Sequence, residues 1–277
     1  MIYNSLATIW KKFLSLHTDI KKEYIPPFST ILNTKSEFNI FPNINNISGE
    51  YPKQFSYYAI GVGGGSEFIN NSGYSYNNHN TTDASLYEQI PFIMKTTDND
   101  ISVSEQSKYR FRTEKIINGI TYICYYLKEI GDIRLPSSPY KLTVVNNSGM
   151  GDAELTEFNT NTDSMLYPIF KPRTIDPVSN NVANYIAVTL TATINFTSAE
   201  IQYLKEVLNI LYPDQDKKIT ELAICSGIDL ATEKGRIEAA IVQIMYFISI
   251  DAETAMALAN SDGFNRTIEM GGLEPLI

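Results

Sequence analysis

YIAVTLTATINFTSAEIQYLKEVLNILYPD, residues 185–214, changes periodicity once, and that change decides the fold class. In its first half Ile186, Val188, Leu190, Ala192, Ile194 and Phe196 are apolar, while Thr189, Thr191, Thr193 and Asn195 alternate with them. A period of two sets the apolar side chains on one face of a long strand and leaves the other face wetter. At Thr197 the period becomes helical. Thr197 with Glu200 three positions on makes a capping box, and Ile201, Leu204, Val207, Leu208 and Leu211 stripe one helix face as far as Pro213.

Working downstream, KKITELAICSG (217–227) reads as a strand. RIEAAIVQIMYFISI (236–250) is apolar on both faces, and its Ile, Val, Tyr and Phe content favours a strand entered through a turn at Gly235. Asp251 is placed to cap a short helix over Ala252–Ala259, closed by Ser261-Asp262-Gly263. The expectation is an α+β fold whose last hundred residues form a strand-helix-strand-strand-helix module.

Upstream, apolar positions Ile2, Leu6, Ile9, Trp10, Phe13, Leu14 and Leu16 predict an amphipathic first helix within 2–22. Residues 26–52 are Asn-rich and broken by Pro26-Pro27 and Phe41-Pro42, which predicts an extended polar arm. Gln54–Val62 reads as a strand, and Asn70–Thr82 as a long loop. KYRFRTEKIINGITYICYYLKEI (108–130) reads as a hairpin, because Asn118-Gly119 suits the positive φ of a type I′ turn. Asn146–Asn181, broken by three prolines, reads as a polar connector. The expected organisation is helix and arm over 1–52, a β-rich region over 53–145, a linker or second arm over 146–182, and the C-terminal module over 183–277.

Composition narrows the chemistry. The 277 residues are 43% hydrophobic, enough for a core, with a net charge of −9 that disfavours gripping nucleic-acid phosphates. Neither a membrane-length apolar run nor the pattern of a signal peptide is visible, so the chain reads as cytosolic or assembled from the cytosol. Two cysteines, Cys124 and Cys225, sit in apolar runs and read as buried thiols.

Gly61, Gly63, Gly64 and Gly65 follow a hydrophobic run, as a phosphate-cradling loop would. The next lysine is the distant Lys95, the sixth-position glycine of a dinucleotide fingerprint is missing, and no helix pattern follows. The glycines therefore read as a closely packed strand end leading to a mobile loop ordered by a neighbouring subunit. His17 and His79 lack companions at metal-ligand spacing. Ser148 and Asp152 flank two glycines without a nearby histidine and read as a turn. Asp98 with Asp100, or Asp152 with Glu154, are the nominable carboxylate pairs; as loop acids they read as solvated surface. Asn80 and Asn195 open Asn-x-Ser/Thr triplets that an Asn- and Thr-rich chain carries by chance.

Three stretches together resemble the tail and neck ring proteins of tailed bacteriophages, crAss-like and related phages among them. They are FSYYAIGVGGGSEF (55–68) with LYEQIPFIM (86–94), the 108–130 hairpin, and KITELAICSGIDL (218–230). The resemblance implies a ring-forming virion subunit assembled in the host cytoplasm, of the portal-to-tail adaptor type, with no catalytic, cofactor or metal residues. Its implied partners are copies of itself and neighbouring virion proteins such as the portal or other tail rings, with no specific nucleic-acid contact and no membrane. An acidic lumen would repel passing DNA. The alternatives are a tail adhesin binding glycan through Tyr74, Tyr76 and the loop to Tyr87, and a hydrolase using a carboxylate pair.

Overall fold

The computed structural model describes residues 5–8, 11, 27–38, 53–63, 65–67, 74–76, 79–134, 140–147, 150–157, 182–232, 235–250, 255 and 262–275. Their strands in chain order begin with β1 (Ser5–Ala7), β2 (Lys53–Gly61), β3 (Gly65–Glu67), β4 (Tyr74–Tyr76) and β5 (Gln89–Ile90). Then come β6 (Ile93–Thr96), β7 (Tyr109–Ile117), β8 (Ile120–Glu129), β9 (Asp132–Arg134) and β10 (Tyr140–Asn147). The last five are β11 (Met150–Glu157), β12 (Val182–Phe196), β13 (Glu221–Ala231), β14 (Ile237–Ser249) and β15 (Phe264–Pro275). Two α-helices are described, α1 (Val103–Gln106) and α2 (Ser198–Leu211). The fold is strand-rich with two large antiparallel sheets and few helices, within the expected α+β class.

The chain divides into two compact units, residues 1–131 with 194–266, and residues 132–193 with 267–277. The first holds an eight-stranded sheet in the order β1-β14-β13-β2-β8-β6, with β5 on β2 and β7 on β8. β14 reads apolar on both faces because both are covered: residues 239–248 are all buried. Between it and β13, Thr232 N donates to Arg236 O and Gly235 takes φ +72°, while residues 233 and 234 lie outside the described residues.

On one face α2 buries Ile201, Leu204 and Val207. Tyr58, Phe92 and Phe196 meet edge-on or offset there at 5.3–6.1 Å, spacings that favour aromatic pairs. The capping box forms as read: Thr197 Oγ1 accepts from Glu200 N, and the Glu200 carboxylate accepts from Thr197 N.

The other cover overturns the extended arm. Residues 27–38 coil into two short 3-10 turns whose Thr30, Ile31, Leu32, Asn33 and Phe38 are buried. Ile31 packs with Ile228, Ala240 and Ile241, and Phe38 meets Phe111 at 5.4 Å and Tyr126 at 4.9 Å. Asn33 explains why a polar residue belongs here. In β14 Ile241 takes a left-handed φ of +52°, which breaks the ladder. Asn33 Nδ2 donates to Ala239 O at 2.8 Å and its Oδ1 accepts from Val242 N at 3.0 Å, satisfying the strand on both sides of the break. Residues 39–52 lie outside the described residues.

The second unit contains a five-stranded sheet in the order β11-β10-β12-β15, with β9 on β12 at Thr191–Thr193. β11, pairing antiparallel with β10, corrects the polar connector over residues 150–157. Two further expectations change. Ser5–Ala7 is not helical but pairs as β1 with β14, while Lys11 is helical and residues 12–26 fall outside the described residues. The strands read as one C-terminal module lie in two sheets, β12 beside β10 and β15, and β13 and β14 beside β2.

Candidate functional site

The β7–β8 hairpin combines a fixed root with an apolar exposed tip. At the root Phe111, Ile123, Cys124, Tyr125, Tyr126 and Leu127 are buried, and β6 pairs with Tyr122–Tyr125. Tyr125 Oη donates to Asp100 Oδ1 at 2.7 Å. Burial, then that hydrogen bond, pushes the Tyr125 hydroxyl up to about 12. Lys128 on β8 is held from α2: its Nζ lies 2.7 Å from Glu200 Oε1 and donates to Asn195 O at 2.7 Å. Leu127 takes a left-handed φ of +55° where β8 passes from β6 to β2.

At the other end Asn118 and Gly119 turn with φ of +52° and +78°. A Cβ on Gly119 would meet nothing within 4 Å, so glycine serves the backbone angle there and not a close approach. Ile116 is 74% exposed and Ile120 47% exposed beside this turn. Ile116 stands opposite Thr121 and Ile120 opposite Ile117, so the two exposed isoleucines lie on opposite faces of the tip.

The glycine-rich strand end has a different role. Glu221, 1% exposed, enters it from β13. Its Oε1 accepts from Gly63 N and Glu88 N, each at 3.2 Å, and its Oε2 from His79 Nε2 at 2.9 Å and Tyr87 N at 3.3 Å. His79 Nδ1 faces Asp83 Oδ2 at 3.2 Å. The ring lies flat on Phe247 at 3.8 Å and stacks on Tyr87 at 4.5 Å. What the amides of this glycine-rich strand end hold is thus the protein's own Glu221 side chain. A Cβ on Gly63 would fall 2.6 Å from Tyr87 Cβ and 2.9 Å from Glu88 N.

Residues 79–88, which include the end of the expected loop Asn70–Thr82, are accordingly held by their own chain; residues 70–73, 77 and 78 of that loop lie outside the described residues. Within the expected loop, Tyr74 and Tyr76 lie on β4, paired with β3. Among the nominated acids, Asp98 is exposed in a 3-10 turn and Asp100 holds Tyr125. Asp152 and Glu154 occupy alternate positions of β11, opposite Val145 and Thr143. Asn80 and Asn195 are both exposed; His17 and Ser148 lie outside the described residues. Cys124 and Cys225 are buried, and burial pushes the Cys124 thiol up to about 11. Among the described residues no three His, Cys, Asp or Glu side chains gather as a metal site, and no helix is long and apolar enough to cross a membrane.

Reading the sequence missed Glu221, whose signal is a lone acid at the head of an apolar strand, and the exposed isoleucines, whose signal is their position beside a two-residue turn. No curated protein and no solved structure matches the chain. A family model described as a family of unknown function, DUF7208, matches residues 3–277, nearly the whole chain, and the protein belongs to that family.

Proposed function

We propose that this chain is a structural subunit of a tailed-bacteriophage virion, joining copies of itself into a ring of the tail or neck, of the portal-to-tail adaptor type. The observation that supports the self-association is the hairpin tip, where Ile116 and Ile120 stand 74% and 47% exposed on opposite faces of strands braced through Lys128, Asp100 and the buried aromatics. A neighbouring subunit whose groove encloses the tip covers both faces and gains the transfer of both side chains out of water. One further feature supports the reading: the charge of −9 fits a conduit that DNA slides through without sticking.

Light scattering on the full chain, alone and mixed with neighbouring virion proteins, tests this. The wild type is expected to form a closed multimer. Ile116→Lys with Ile120→Lys is expected to give monomers with an unchanged thermal midpoint, since neither side chain contributes to the core. A wild type that stays monomeric beside its partners would refute the proposal.

A further inference from the structure

We propose that residues 79–88 form a proton-controlled latch on β13: the closed segment holds one more proton than the open one, so it tightens as pH falls and loosens as pH rises. The arrangement behind this is a single imidazole set between two carboxylates. His79 Nδ1 lies 3.2 Å from Asp83 Oδ2, and Nε2 lies 2.9 Å from Glu221 Oε2. The His79 and Glu221 side chains are buried, at 4% and 1% exposure, while Asp83 is 30% exposed.

The two contacts fix the proton count. Each needs one hydrogen between nitrogen and oxygen, and ionised carboxylates bring none. A neutral imidazole brings one N–H and one lone pair, so a second proton completes the closed arrangement, whether it sits on the ring or on an acid. Without it a ring lone pair faces a carboxylate oxygen at close range, and the two repel. A state that binds the extra proton is favoured as pH falls and gives way as pH rises.

The surroundings decide which side yields. Glu221 is fixed on β13 and accepts from the amides of Gly63, Tyr87 and Glu88. Asp83 belongs to a local turn: its N donates to Asn80 O at 3.1 Å, and its Oδ2 accepts from Asn80 N at 2.9 Å. The half-exposed turn therefore moves, and the buried carboxylate stays. Besides the two acids, the ring meets Tyr87 of its own segment at 4.5 Å and Phe247 of β14 at 3.8 Å. The side chain of Glu88 is engaged elsewhere, its Oε1 accepting from Tyr212 Oη of α2 at 2.6 Å. Opening lifts the imidazole from Phe247 and uncovers an aromatic face beside Glu221.

Amide hydrogen exchange on the full-length protein, corrected for the intrinsic pH dependence of exchange, reads how often the segment opens. The Tyr87 and Glu88 amides report the latch, and the buried residues 239–248 of β14 are the internal reference. Between about pH 6 and about pH 8 the open fraction at Tyr87 and Glu88 is expected to rise at least about fivefold, with about tenfold per pH unit as the limit for one proton. The reference is expected to stay unchanged. Asp83→Asn removes one carboxylate and lets a neutral ring accept at Nδ1 while it donates to Glu221, so the pH dependence is expected to vanish with the segment still closed. His79→Gln is expected to lose it as well. An open fraction equal at both pH values, a change shared by the reference, or a pH dependence that survives either substitution overturns the proposal and leaves the self-association reading untouched.

Discussion

Glu221 ties the glycine-rich strand end and residues 79–88 to β13. Three backbone amides and an imidazole converge on it, so its removal leaves buried donors without acceptors. Glu221→Ala is expected to cost about 3 kcal/mol, read as a lower urea midpoint. Gly63→Ala leaves every polar partner in place but drives a methyl into Tyr87 and Glu88, and is expected to cost about 1–3 kcal/mol through overpacking. If Gly63→Ala unfolds at the wild-type midpoint, the close approach is not what requires glycine there. Sequence could argue against a phosphate-cradling loop at these glycines, because a missing lysine is visible in one dimension. It could not pair Gly63 with Glu221, 158 positions away.

Among the elements, α2 and the β7–β8 hairpin are tied by one carboxylate. Glu200 Oε1 meets Lys128 Nζ at 2.7 Å and accepts from Tyr109 Oη at 3.1 Å, while Oε2 accepts from Thr197 N at 2.8 Å. Burial pushes the Glu200 carboxyl up, but the hydrogen bonds from Lys128 and Thr197 outweigh it and hold the group below its ordinary value. A depressed carboxyl stabilises the fold above its unfolded pKa of about 4.3, and that contribution disappears as pH falls through the lower folded value. Glu200→Gln is therefore expected to be less stable than wild type at pH 7, with the gap closing below about pH 4. Denaturant titrations at both pH values measure it, and a gap that does not narrow excludes the ionised carboxylate as its source.

These elements were the ones open to reading in advance. The α2 cap, the Asn118-Gly119 turn and the β12 alternation are set by neighbours within four residues. The failures arose where distant partners decided. Ser5–Ala7 carries a helical pattern yet pairs with Tyr246–Ile248, and Asn33, the one asparagine of 27–38, is buried because it serves a break in β14. The exposed isoleucines are plain as residues, but their exposure follows from how far the hairpin runs beyond β6.

At the scale of the molecule, each compact unit is built from two separated chain segments. Residues 1–131 alone would carry β2 without β13, and β1 without β14. That fragment is expected to show no cooperative thermal transition by circular dichroism, and co-expression with 194–266 to restore one. A cooperative melt of 1–131 by itself would show that β2 and β8 suffice as a core.

The same central position of β2 sets a clock on the ribosome. Gly61 pairs with Glu221, 160 positions later, and at about 5–20 residues per second β2 waits roughly 8–30 s for its second neighbour to be made. During that interval Tyr57, Tyr58, Ala59 and Ile60, all buried in the finished protein, lack their β13 neighbour on a growing polypeptide. A nascent chain of this kind depends on early shielding, and the speed of translation between residues 61 and 221 becomes part of how well the protein is made.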